Sequence, residues 1–139
     1  LKLYLLDTGL LITLAFGKNK KMLEEAYKNL IAGKLSINEG MFFENVVAQQ
    51  LVAKNSDLYF HEFRDGDSQL YEIDFILPGS KGIMPVEVKS SVSSKHRSLD
   101  LFMDKYGSRI EQAYVIHPKD LREDDGILYI PVYMAGLLR

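Results

Sequence analysis

Residues 71–91 read YEIDFILPGSKGIMPVEVKSS, two apolar runs joined by Pro78-Gly79-Ser80-Lys81-Gly82. The joining residues are strong turn formers, so the runs read as an antiparallel hairpin. Alternate side chains of a strand point to opposite faces. In the first run this groups Tyr71, Ile73, Phe75 and Leu77 against Leu70, Glu72, Asp74 and Ile76. In the second it groups Met84, Val86 and Val88 against Ile83, Pro85, Glu87 and Lys89. Folding at the turn brings Asp74 close to Glu87 and Lys89 on one face. The plain reading is a solvated face of an amphipathic hairpin, where charged residues normally sit. The sharper reading is a divalent-cation site. Carboxylates are the oxygen ligands that Mg2+ prefers, and a neighbouring lysine can orient a water and neutralise developing charge.

A third acid comes from upstream. Ser36-Ile37-Asn38-Glu39 matches a capping box, which opens a helix expected to run to about Lys54, with Asn55 as its terminator. Ile37, Met41, Val47, Ala48 and Leu51 all lie at helical spacing from Glu44, which places that carboxylate inside an apolar stripe. A carboxylate there is costly unless it is paired, hydrogen-bonded or bound to a metal. An ion pair with a nearby Lys or Arg is the alternative to a ligand role.

The remainder supplies the frame. Residues 1–6 read as a short strand or extended lead-in, and Asp7 or Thr8 caps a helix through about Phe16, closed by Gly17. The loop GKNKK (17–21) lacks the rest of a phosphate-binding P-loop, and residues 22–32 form an amphipathic helix. Residues 57–64 alternate as a strand, and Asp65-Gly66-Asp67-Ser68 turns it into the strand of Asp74. His61 reads as an ordinary strand histidine, since no second histidine stands at ligand spacing. Lys95, His96 and Arg97 lie in a polar loop after Lys89, either solvated or a phosphate-contacting rim. Ser98 caps a helix ended by Gly107, residues 112–116 form a covered parallel strand, and a charged loop to Asp125 precedes a last strand, 127–132. The fold class is α/β: helix, three antiparallel strands, crossover helix, parallel strand, a mixed sheet flanked by helices.

The chain has 139 residues, 17 Lys plus Arg against 19 Asp plus Glu, and no cysteine. It is long enough for one domain with a real core. Its near-neutral charge leaves only a local basic footprint for nucleic acid. The missing cysteines exclude a disulfide framework and a thiolate zinc site, and fit the cytoplasm. No apolar run approaches the ~20 residues of a membrane span. A start at Leu1 within LKLYLLD reads as a piece of a longer protein, with 1–35 a linking segment and 36–139 the α/β domain.

Glu44, Asp74 and Glu87-Val88-Lys89 together resemble the PD-(D/E)XK restriction-endonuclease-like superfamily. More narrowly, KLYLLDTGLL (2–11), GMFFENVVAQQL (40–51), YEIDFIL (71–77) and PVEVKSS (85–91) resemble the DUF4143 domain found at the carboxyl end of AAA-type ATPases. The resemblance implies a restriction-endonuclease-like sheet and Mg2+ (or Mn2+) held by Asp74, Glu87, the Val88 carbonyl and Glu44. It further implies Asp74, Glu87 and Lys89 as catalytic residues and an ATPase module upstream, through which the chain could oligomerise. One departure stands out: where a related branch has Gln-x-x-x-Tyr on the crossover helix, Phe102 precedes Tyr106 here. The expected activity is metal-dependent phosphodiester hydrolysis of DNA, less readily of RNA. The alternatives are a catalytically idle nucleic-acid or partner platform and an assembly module of the ATPase.

Overall fold

The computed structural model describes residues 2–32, 39–66, 69–90 and 95–138. Residues 2–5 form neither helix nor strand, and the chain bends at Leu6. Helix α1 (Thr8–Phe16) follows, its N-cap Asp7 accepting a hydrogen bond from Leu10 N at 2.9 Å, with Gly17 as its C-cap. Helix α2 (Lys20–Ile31) leads to α3 (Glu39–Val52). The expected Ser36 capping box lies outside the described residues. Asn55 ends α3 as expected: its φ of 59° is the left-handed conformation that asparagine tolerates.

Six strands form one mixed sheet in the order β1-β2-β3-β4-β6-β5. Strands β1 (Tyr59–Asp65), β2 (Gln69–Pro78) and β3 (Ile83–Val88) make the antiparallel meander. Helix α4 (Arg97–Tyr106) crosses over to β4 (Ala113–His117), parallel to β3. Strand β6 (Ile127–Pro131) runs parallel to β4, and β5 (Arg122–Asp124) closes the edge antiparallel to β6. The charged loop expected before residue 125 is thus partly a strand. Asp125 (φ 50°) and Gly126 (φ 74°) turn it into β6, the paired left-handed conformation of a tight hairpin. The N-cap of α4 is His96, not Ser98. One short 3-10 turn, Gly107–Arg109, follows α4, and another, Val132–Leu137, covers the end of the sheet.

The sheet is covered on both faces. Val47, Ala48 and Leu51 of α3 pack on Phe75, Leu77, Met84 and Val86. Leu99 and Phe102 of α4 pack on the opposite face against Phe63, Tyr71, Ile73 and Val115. Helix α3 is buried on two sides, because its Phe42 packs outward against Ile12 of α1 and Ala26 of α2.

Strand β2 departs from strict alternation. Tyr71 and Ile73 belong to the α4 layer, whereas Phe75 and Leu77 belong to the α3 layer. The cause is a β-bulge. Two steps of β1, from Tyr59 to His61, face three steps of β2, from Ile76 to Ile73. Tyr71, Ile73, Phe75 and Leu77 therefore do not share a face, nor does Ile76 share one with Glu72. Asp74 and Phe75 together lie opposite Phe60 at the bulge.

Candidate functional site

Asp74 owes its aim to the bulge. Its backbone neighbours switch layers around it, and its Oδ2 accepts a hydrogen bond from Val88 N of β3 at 2.8 Å. The side chain thereby takes the place of a ladder partner where the paired register of β2 and β3 stops, at Phe75 and Val86. Half-satisfied in this way, the carboxyl is raised to about 6. Burial is the main cause, opposed by the Val88 N–H and reinforced by the charge of Glu44.

Glu44 reaches the same place from α3. Oxygens of Glu44, Glu72 and Asp74 all lie within 4.8 Å of one another, none of the three residues fully exposed. Such crowding of anions needs positive charge. Lys2 supplies it: its ammonium lies 2.6 Å from Glu44 Oε1 and 3.5 Å from Asp74 Oδ1, and it pairs with Glu72 as well. Burial works to lower the Lys2 pKa, but the hydrogen bonds to Glu44 and Glu72 and the charge of Asp74 outweigh it and hold it above its ordinary value. The Tyr4 hydroxyl also donates to Glu44 Oε1, and burial followed by that bond raises the phenol. Lys2 and Tyr4, two residues apart, both reach Glu44 Oε1.

Two amides of α3 fix this segment. Leu5 N donates to Asn45 Oδ1 at 2.8 Å, and Asn45 Nδ2 donates to Leu5 O and Thr8 Oγ1. Gln49 Nε2 donates to the same two acceptors. Asn45 is only 1% exposed, so these bonds satisfy a buried polar group and anchor the chain beside the acids at the same time.

Glu87 and Lys89 of the β3 end stand apart from the three-acid group. They pair with each other, and Glu87 is not among the three acids whose oxygens lie within 4.8 Å of one another. Glu87 remains close enough for its charge to push Asp74 upward. Its own Oε2 is buried without a hydrogen-bond partner. Lys89 N bonds Ile116 O at 2.8 Å, and this tie to β4 holds the end of β3.

The rim residues are largely built into the fold. His96 Nδ1 bonds Asp100 Oδ1 at 2.7 Å, and its Nε2 meets the Tyr129 hydroxyl at 2.6 Å. The Arg97 guanidinium lies 5.7 Å from the Tyr71 ring centre, and Lys95 is exposed. Phe102 is 2% exposed, packed among His61, Phe63 and Tyr106 in the α4 layer.

Sequence reasoning missed Lys2, Tyr4, Asn45 and Glu72. The alternation of Lys2 and Tyr4 and the polar pair Asn45 and Gln49, one helical turn apart, were available signals; the partners themselves lie some 40 to 72 residues away. The carboxylate group suits a hard, oxygen-preferring divalent cation. Among the described residues, no helix is long and apolar enough to cross a membrane. Searches of curated proteins and of solved structures found no match. A family match covers residues 39–134, from the start of α3 through β6, which is more than half of the chain. The chain therefore belongs to the family described as Domain of unknown function (DUF4143).

Proposed function

We propose that this domain is a restriction-endonuclease-like, metal-dependent phosphodiesterase acting on DNA, carried in the cytoplasm at the carboxyl end of an AAA-type ATPase. The observation that carries the reading is Asp74 on a bulge, bonded to Val88 N between Glu87 and Lys89, with the Glu44 carboxylate beside it. Glu44, Asp74 and Glu87 are the residues that would hold Mg2+ or Mn2+, with the Val88 carbonyl as a further oxygen. The ion would supply Lewis-acid stabilisation of the phosphate. Lys89, paired with Glu87, would orient the attacking water and offset charge on the phosphoryl oxygens. At the head of α4, Lys95 and Arg97 would form the rim of phosphate contacts, beside a His96 held by Asp100 and Tyr129; such contacts position the strand without reading its sequence.

A second reading has its own observation. Lys2 already neutralises part of the acid cluster, as a catalytically idle binding or assembly platform would require. The two part on cleavage. The full-length protein is incubated with single- and double-stranded DNA and with RNA, in Mg2+, Mn2+ or a chelator. Metal-dependent cleavage lost in both Asp74→Ala and Lys89→Ala supports the nuclease. Binding without cleavage in every condition supports the platform.

A further inference from the structure

The Lys2 ammonium touches the three carboxylates whose oxygens could hold a cation together, Glu44, Glu72 and Asp74. The main chain delivers it there, since Asn45 and Gln49 clamp the backbone at Leu5 and the Tyr4 hydroxyl is bonded to Glu44. One ammonium offsets only one of three negative charges. Glu87, whose charge reaches Asp74, has its Oε1 paired with Lys89 and its Oε2 buried without a hydrogen-bond partner. A cavity of about 170 Å3, lined by Lys2, Leu3, Tyr4, Leu11, Met41 and Glu44 among others, adjoins the ion pair. It gives the long lysine side chain room to swing aside while Leu5 stays clamped.

We propose that the Lys2 ammonium and a divalent cation are alternative occupants of the Glu44–Glu72–Asp74 cluster. The segment 2–5 thus keeps the centre neutralised until an ion displaces its lysine. The inference rests on the metal reading above and adds two residues to it: Glu72 as a ligand and Lys2 as a tethered competitor. A competitor attached to the chain weakens the apparent affinity for the ion by the fraction of time it occupies the site. Removing the lysine's charge therefore tightens metal binding, whereas a merely structural ion pair would leave it unchanged or weaken it.

The test is calorimetric titration of the full-length protein with Mn2+. Lys2→Met is expected to bind Mn2+ about tenfold more tightly than wild type, or better. Lys2→Arg, which keeps the charge, should bind no more tightly than wild type. Glu72→Gln in the Lys2→Met background should lose much of the gain. Equal or weaker binding by Lys2→Met overturns the proposal and leaves the metal reading standing. Absence of Mn2+ binding in every variant overturns both. Should Lys2→Met fail to fold without metal, recovery of its melting transition on adding Mn2+ supports the proposal, and no recovery overturns it.

Discussion

Asp74 is buried beside like charges, and it prefers a proton more than an isolated aspartate does. Its carboxyl is raised from 3.8 to about 6, through burial first and the charge of Glu44 next, against the Val88 N–H. A raised carboxyl stabilises the fold where it is protonated. Its contribution is complete below about pH 4 and is lost as pH rises through about 6. At about 1.4 kcal/mol per pKa unit, the loss amounts to about 3 kcal/mol at most for a side chain 20% exposed. Metal-free Asp74→Asn should therefore melt higher than wild type at pH 7.5, and the difference should shrink at pH 5. The asparagine still accepts from Val88 N, so the comparison isolates charge. Melting curves at the two pH values check it, and an equal difference at both would mean that Asp74 ionises normally. Asp74 was legible in the sequence as an acid on a strand. Its aim was not, because alternation cannot reveal where a bulge breaks it.

At the scale of elements, the segment 2–7 and α3 act as one unit. Asn45 bonds both backbone groups of Leu5, and no local pattern in the sequence connects residues 40 apart. Asn45→Ala leaves the half-buried Leu5 N–H without its partner and should cost about 1–3 kcal/mol. Hydrogen exchange should localise the effect: faster exchange at Leu5 with β2 and β3 unchanged. Uniformly faster exchange would instead mean that the segment and the sheet open together. Elements closed by local chemistry were readable in advance. Asp7 caps α1, Asn55 ends α3 and Gly107 closes α4, because each acts within a few residues. The β5–β6 hairpin carried its Asp125-Gly126 turn in plain view. Its outer arm, Arg122-Glu123-Asp124, is exposed and charged, so it lacks the apolar alternation that marks a strand.

For the whole molecule, the sheet divides two apolar layers, and the candidate site sits where the first of them meets the end of the paired β2–β3 ladder. Phe102, where a related branch has glutamine, is part of the second layer. Phe102→Ala should lower stability by about 3–5 kcal/mol through lost burial and the cavity left behind. Denaturant melting measures it, and a loss under about 1 kcal/mol would show that the α4 layer can collapse around the gap. The order helix, antiparallel meander, crossover helix and parallel strand was readable because period and turn chemistry fix each part. The three-acid cluster was only half readable. Glu44 and Asp74 announce themselves by their apolar surroundings, whereas Glu72 and Lys2 gain meaning only once the chain is folded.

Metal stabilisation tests the central claim most directly. The full-length protein is melted in rising Mn2+ at pH 7.5, alongside Asp74→Ala. A ligand that binds only the native state raises the melting temperature in proportion to the logarithm of its concentration once the site is filled. The wild type should show that rise and Asp74→Ala should not. A wild-type curve indifferent to Mn2+, or an equal rise in both proteins, would contradict a divalent-cation centre at Glu44 and Asp74.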